Sequence, residues 1–195
     1  MKKIKTGITA LLLLSVISCT KTINNKTSSI SASSESNSSS QTTSFTIGQS
    51  YHGGIIFYID NTGQHGLIAA ISDQGTGISW KHGPNVVTGA SGTEIGTGAS
   101  NTEAIVAAFG KHSDYAAYLC YRYQAGAYHN WYLPSKAELN LMYKKRDIIG
   151  GFSATNYWSS SEVSKGKAWD QEFGSGFQFK DDKTFTLNVR AVSSF

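Results

Sequence analysis

The sequence predicts a domain of the α+β class, because strand-like runs open and close it while helix-like runs lie between them. Two β-rich runs around an Asn/Gly turn come first, two capping-box patterns follow, and a series of short β-rich runs ends the chain. Segregation of helices from antiparallel strands is typical of this class. The 4 Trp, 10 Tyr and 9 Phe of the chain all lie within residues 45–195, so we expect one core to be built there.

The first predicted elements are an N-terminal hairpin and two helices. Residues 53–70 read as two strands that turn at Asn61-Thr62-Gly63-Gln64. Ser100 and Glu103 have the spacing of a capping box, which places the start of a helix at Ser100. Asp114 is positioned to cap the next helix.

A third helix and a C-terminal antiparallel meander complete the predicted fold. Ser135-Lys136-Ala137-Glu138 is a second capping box, and Gly150-Gly151 ends the helix that follows it. Leu139 and Met142 are spaced for one buried stripe on that helix. The strand-like runs after it are YWSSS, AWDQEF, FQFK and TFTLNVRAVSSF.

Residues 1–18 predict a lipoprotein signal peptide. A basic stretch precedes an apolar run, residues 8–17, that is too short to cross the hydrocarbon core of a bilayer. The VISC that follows resembles the bacterial lipobox, which implies that Cys19 becomes a lipidated N-terminus. Acyl chains on Cys19 would anchor the protein to a membrane of the cell envelope. The alternative is an ordinary secretory signal with an incidental cysteine.

Residues 19–44 predict a disordered tether between that anchor and the folded domain, residues 45–195. Ser and Thr make up most of the segment, and no apolar periodicity survives in it. Such a composition buries too little apolar surface to offset the entropy lost on ordering.

The charge distribution argues against a nucleic-acid-binding protein. The chain has 17 Lys and Arg against 13 Asp and Glu, but Lys2, Lys3 and Lys5 lie in the basic stretch of the signal peptide. Residues 45–195 hold equal numbers of basic and acidic residues. Nucleic-acid binding requires a clustered cationic surface, so we expect no nucleic-acid partner.

Six phrases of the sequence point to one family. They are GGIIFYIDNTGQHGLIAA, IGTGASNTEAI, NWYLPSKAELNLMY, NYWSSSE, AWDQEF and VRAV. In this order and spacing they resemble the Legionella collagen-like protein C-terminal domain family, over about residues 50–195. The resemblance implies a compact C-type-lectin-like domain whose terminal strand pairs back near the first, and a role in binding rather than catalysis. The chain differs from the adhesin of that family in having no collagen-like repeat and a neutral domain.

The residue types of catalytic sites give little support for an enzyme. Cys120 lies in a helical, apolar pattern that favours a buried structural thiol, and no known catalytic spacing links it to a histidine. The five His show no metal-ligand spacing, and no cofactor motif is present. We therefore expect no metal and no cofactor. A Ca²⁺ site near residues 169–172 is the weaker alternative, because the signatures of calcium-dependent lectins are missing.

The four tryptophans divide into two pairs. Trp131 and Trp158 lie in the family phrases and are predicted to be core. Trp80 and Trp169 have polar or glycine-rich neighbours, so both a core and a surface position stay open for them. Lectin-like folds bind ligands on late loops and strands, and an aromatic face bordered by charges suits a neutral or mixed-charge sugar. The predicted ligand-binding residues are Trp169, Asp170, Glu172, Glu162, Lys165 and Lys167.

The sequence thus predicts an exported, lipid-anchored binding module of the bacterial cell envelope, at the outer membrane or the cell surface. It would recognise a glycan or a protein and would not be an enzyme. The alternative is a structural envelope lipoprotein that docks on another protein and has no soluble ligand.

Overall fold

The computed structural model describes residues 44–195. The predicted signal peptide, the lipidation site Cys19 and all of the predicted tether except Ser44 lie outside the described residues. No helix within 44–195 has the length and apolar character needed to cross a membrane.

The first sheet contains the predicted hairpin and the last strand of the chain. Its strands are β1 (Ser50–Tyr51), β2 (Gly54–Ile59), β3 (Gly66–Ala70) and β9 (Val192–Ser194), in the order β1-β2-β3-β9, and every neighbouring pair is antiparallel. Asp60 shapes the β2–β3 turn, because its carboxylate accepts hydrogen bonds from the amide and the hydroxyl of Thr62. The hairpin is therefore confirmed, and so is the return of the terminal strand to the first sheet.

The first helix, α1 (Gly98–Phe109), begins two residues earlier than its capping-box pattern predicts. Ser100 does not cap it, because its hydroxyl donates to the main-chain oxygen of Thr97, 3.0 Å away. Gly98 sets the start instead: a Cβ at this position would collide with the Glu138 carboxylate and with the ring of Tyr132. Tertiary packing thus overrides the local capping signal.

The second helix, α2 (Ala116–Tyr121), is not capped by Asp114. The Asp114 carboxylate lies 2.8 Å from Nδ1 of His82, on the loop after the fourth strand, and Tyr115 occupies the N-cap position. The prediction of a helix here is confirmed, whereas the prediction of its cap is wrong.

The third helix, α3 (Lys136–Lys144), has the capping box that the sequence predicts. The Ser135 hydroxyl accepts from the Glu138 amide, and the Glu138 carboxylate accepts from the Ser135 amide. Leu139 and Met142 are buried on one face of α3. A short helix, α4 (Arg146–Ile149), follows and ends at Gly150.

The second sheet combines an antiparallel meander with two further strands beside it. Its strands are β4 (Gly75–Ser79), β5 (Asn156–Glu162), β6 (Lys167–Glu172), β7 (Gln178–Asp182) and β8 (Thr186–Val189), in the order β4-β8-β5-β6-β7. Strands β5, β6 and β7 form the predicted antiparallel meander. The chain then crosses to the other side of β5, where β8 pairs in parallel with β5 and antiparallel with β4.

Candidate functional site

Trp169 lies at the surface, half-buried on strand β6. The Nζ atom of Lys136, at the start of α3, stands 3.7 Å from the centroid of the indole ring, and that of Lys180, on β7, stands 4.9 Å away. Lys167 precedes Trp169 by two residues, so both point to the same side of the sheet. The Lys167 ammonium donates to the main-chain oxygen of Lys180. We call Trp169, Lys136, Lys167 and Lys180 the Trp169 face.

A polar network fixes the main chain of Lys136 beside the ring. The Gln178 side chain on β7 donates to the main-chain oxygen of Lys136, 3.1 Å away. The Gln171 side chain on β6 donates to Asn140 on α3, 3.0 Å away. These bonds fasten the first turns of α3 to the two strands beneath it, so the position of Lys136 is determined by tertiary structure.

Glu162, predicted as a ligand-binding residue, is buried away from the Trp169 face. Its carboxylate forms an ion pair with the ammonium of Lys183, which is also fully buried. It also accepts hydrogen bonds from the amides of Thr88 and Gly89. All of these partners belong to the protein itself, so Glu162 fastens the loop at residues 86–90 to the end of β5.

Asp170 points to the opposite side of the sheet from Trp169, because side chains alternate along a strand. It is 1% exposed; its Oδ2 accepts a hydrogen bond from Asn156, while Oδ1 has no hydrogen-bond partner among the described residues. Burial, aided by the neighbouring Asp181, raises the pKa of Asp170 from 3.8 to about 6, although the bond from Asn156 opposes this. Asp170 is therefore close to the ring in sequence but not part of its face.

Glu172 and Lys165, the remaining predicted ligand-binding residues, lie at turns. The Glu172 carboxylate accepts from the amides of Gly174 and Ser175, and hydrogen bonds from these two residues lower its pKa. It therefore shapes the β6–β7 turn. Lys165 is exposed at the β5–β6 turn, where its main-chain oxygen accepts from Lys183. The structure thus brings only Trp169 and Lys167 of the predicted set together.

Two residues of the Trp169 face were missed by sequence reasoning. Lys136 is 33 positions before Trp169 and Lys180 is 11 after it. Alternation along β6 and β7 would have placed Lys180 beside the ring had their register been known. No sequence signal places the start of α3 over β6. A small cavity of about 190 Å³ has both Lys136 and Glu94 at its wall, so one acid stands near Lys136.

The other three tryptophans are buried. Trp131 and Trp158 are 1% and 0% exposed, which confirms the prediction that they belong to the core. Trp80 is also completely buried, and its indole N–H donates to the main-chain oxygen of Ser159. This placement removes Trp80 from the candidate surface rings.

Cys120 and the histidines form no obvious reactive group in the described structure. Cys120 is a free, fully buried thiol on α2, and burial raises its pKa. The rings of His82 and His112 stack in parallel 3.9 Å apart, so their nitrogens do not converge on one point. Within residues 44–195 no three His, Cys, Asp or Glu side chains are grouped in a way that would hold a metal ion.

A comparison with protein-family models matches residues 69–193 to the Lcl C-terminal domain. The chain belongs to the Lcl C-terminal domain family. The resemblance stated from the six sequence phrases is thereby confirmed, and the α+β architecture agrees with the C-type-lectin-like fold that it implied. All four residues of the Trp169 face lie within the part of this Lcl-type domain that the family model matches. No curated protein matches the chain significantly.

Proposed function

We propose that this Lcl-type domain is a binding module of the bacterial cell envelope that recognises an acidic glycan through the Trp169 face and catalyses no reaction. The observation that carries the proposal is the surface position of an indole ring with two ammonium groups within 5 Å of its centroid and a third beside them. Ammonium groups bind carboxylates and sulfates, and the part of the indole that the two lysines leave uncovered contacts the sugar ring.

The charge balance of the face favours an acidic ligand over a neutral one. Glu162 is paired inside the protein, Asp170 lies on the other side of the sheet, and Glu172 is bound to turn amides. The acids that remain near the three lysines are Glu94 and Asp182. Asp182 pairs in register with Lys167, and hydrogen bonds from Thr184 lower its pKa, so its charge offsets one lysine and Glu94 offsets a second. A positive excess therefore remains on the face.

The binding should be weak and dependent on ionic strength. Exposed ion pairs contribute about 0.2–1 kcal/mol each and are screened by salt. Two or three such pairs together with contact to one indole ring correspond to dissociation constants on the order of 0.1–1 mM for a single site. A polymeric ligand that engages several copies of the protein would be held more firmly.

The proposal includes attachment to a membrane. The lipobox-like VISC supports lipidation at Cys19, and the Ser/Thr-rich composition of residues 19–44 supports a flexible connection to the domain. A module held in this way would present the Trp169 face to polymers of the envelope or its surroundings.

Dextran sulfate and dextran provide a direct test, because they share a backbone and differ in charge. We expect the full chain in detergent to bind dextran sulfate and not dextran, and to lose about tenfold in affinity between about 50 and about 300 mM NaCl. The double variant Lys136→Ala with Lys180→Ala should bind about fivefold or more weakly, and so should Trp169→Ala.

The matched control is Lys111→Ala, because Lys111 is an exposed lysine on the connection between α1 and α2. This variant should bind dextran sulfate as the parent chain does, and all variants should keep the parent melting temperature. Equal loss in Lys111→Ala would mean that any surface charge contributes, and unchanged binding by the double variant would contradict the proposed face.

A docking function without a soluble ligand has separate support from the free edge of the second sheet. Strand β7 is the last strand in the sheet order; Phe179 on it is 43% exposed, and Phe177, which directly precedes it, is 69% exposed. Phe185 in the following turn is also exposed. Exposed aromatic residues on an unpaired edge are typical of protein contacts. The double variant Phe177→Ser with Phe179→Ser would then lose binding to an envelope protein, whereas Lys136→Ala with Lys180→Ala would keep it. That result would favour the docking function.

A further inference from the structure

A second concave surface lies around residues 121–131, the segment that leads from the end of α2 to the buried Trp131. A cavity of about 550 Å³ separates this segment from α1, and one of about 300 Å³ separates it from His52 and the last strand, β9. His129, Asn130 and Trp131 line both cavities, so the two are neighbours across one shared wall. We call them together the His129 groove. Their volumes fall within the range of small-molecule sites.

The backbone of the groove is strained at two points. His52 and Asn130, with φ of 48° and 68°, are the non-glycine residues of the described chain that have positive φ, and both line the smaller cavity. Left-handed backbone is uncommon for non-glycine residues, although Asn and His adopt it more readily than most, and it persists where surrounding contacts stabilise it. Strain of this kind concentrates at binding sites, where it fixes side chains in place.

The contacts that impose the strain also arrange an aromatic wall. The His52 imidazole is stacked between the rings of Tyr51 and Tyr128, with centroid separations of 3.7 and 4.1 Å. The main-chain oxygen of Asn130 accepts from the Ser193 hydroxyl on β9. Tyr128 remains 43% exposed at the end of this stack. A rigid aromatic surface is thereby held open to solvent.

Three polar side chains of the groove, those of Tyr128, His129 and Asn130, are left available. The hydrogen bonds at the shared wall use main-chain oxygens, from Ser193 to Asn130 and from the Trp131 indole to Tyr128. Neither bond uses the Tyr128 hydroxyl, the His129 ring or the Asn130 amide, all of which belong to exposed residues. In contrast, the amides beside the Trp169 face are bound to one another and to α3.

The charge of the groove distinguishes it from the Trp169 face. The smaller cavity has no Asp, Glu, Lys or Arg at its wall, and the larger one has one acid and one base, Glu103 and Arg122. A strongly charged ligand would find no matching cluster there. Hydroxyl, amide and imidazole groups beside exposed tyrosine rings match a neutral, polyhydroxylated ligand with apolar ring faces.

We infer that the His129 groove is a second binding site, which takes a neutral oligosaccharide long enough to lie across both cavities. It is independent of the proposed acidic-glycan site, because the two share no residue and differ in charge. The aromatic stack ending at Tyr128 packs against a sugar ring, and His129 and Asn130 donate to or accept from the sugar hydroxyls.

Neutral hexasaccharides test this inference on the full chain in detergent. The probes are cellohexaose, chitohexaose and isomaltohexaose, measured by calorimetric titration. We expect at least one to bind with a dissociation constant below about 1 mM, a typical strength for a shallow site without charged anchors. Binding should be at least about fivefold weaker in His129→Ala and in Asn130→Gly.

Asn130→Gly is the sharper of the two variants. Glycine adopts positive φ readily, so the variant removes the amide while relieving strain, and its melting temperature should equal or exceed that of the parent. Trp169→Ala is the matched control and should leave hexasaccharide binding unchanged. Absence of binding to all three probes at about 10 mM would overturn the inference. So would binding that survives in both groove variants or is lost in Trp169→Ala. Dextran sulfate binding by the groove variants tests the other site separately.

Discussion

Replacing Asp170 by Asn should stabilise the domain at neutral pH, although it changes a fully buried residue. The Asp170 carboxyl group has one hydrogen-bond partner, Asn156, and its Oδ1 has none among the described residues. Burial raises its pKa from 3.8 to about 6. In the unfolded chain the group ionises near its ordinary value, so the folded state binds a proton over a pH range in which the unfolded state has lost it.

The sign and size of the effect follow from this difference. Because the folded pKa is the higher one, the free energy of unfolding falls as pH rises from about 4 to about 6 and is lowest above that range. A difference of about two pKa units corresponds to about 3 kcal/mol. Asparagine removes the charge and keeps an oxygen for Asn156, but its amide adds a buried donor that costs about 1 kcal/mol if unpaired. The expected net gain at pH 7 is about 2 kcal/mol.

Thermal unfolding at two pH values provides the assay. At pH 7 the melting temperature of Asp170→Asn should exceed that of the parent chain by about 6 °C, given the usual unfolding entropy of a domain of this size. At pH 4 the parent carboxyl group is already protonated, so the difference should disappear or change sign. Asp147→Asn is the control, because Asp147 is exposed on α4 and its replacement should change neither value.

The opposite result would be informative. If Asp170→Asn lowers the melting temperature more at pH 7 than at pH 4, the folded protein favours the charged carboxylate through a cationic partner, and folding lowers the pKa of Asp170 instead of raising it. The reasoning from burial would then be refuted, and the effect of added Ca²⁺ on the parent chain would be the next measurement.

Three further outcomes are expected. Cys19→Ser should move the protein from the detergent phase to the aqueous phase on partitioning, since it removes the proposed acylation site; unchanged partitioning would contradict lipid anchoring. A chain that begins at Ser44 should melt at the same temperature as the full chain, because every aromatic residue follows it, and a loss of several degrees would mean that residues 19–43 pack on the domain. Lys183→Met should lower the free energy of unfolding by about 3–5 kcal/mol, because it leaves Glu162 charged, buried and without its ion-pair partner. The double variant Lys183→Met with Glu162→Gln should recover much of this loss, and denaturant titrations measure both.

The elements that sequence predicted well are those whose signals are local. The β2–β3 hairpin depends on a turn in which the Asp60 carboxylate accepts two hydrogen bonds from Thr62, two positions away. Helix α3 depends on a capping box within four residues, and the structure contains both of its hydrogen bonds. Such interactions are determined by spacing along the chain, which the sequence shows directly.

The errors arose where distant residues compete for the same group. Asp114 has the spacing of a cap, but His82, 32 positions earlier, takes its carboxylate. The same competition determines which charged residues belong to the candidate site. Glu162 reads as a surface acid near Trp169 until Lys183 and the amides of the 86–90 loop are placed around it. Which of several nearby charges remain available to a ligand is a property of the tertiary structure.

The pairing of β9 with β3 has a consequence for how the domain is made. Val192 pairs with Ala69, so the first sheet joins residues more than 120 positions apart, and the ring of Phe195 packs against Phe45 and Tyr51. Contacts of such long sequence separation form slowly, because much of the chain must be ordered first. The first sheet cannot be completed until residues 192–194 have left the ribosome. Until then one edge of β3 stays unpaired, and Phe45 and Tyr51 lack the ring of Phe195 that packs against them.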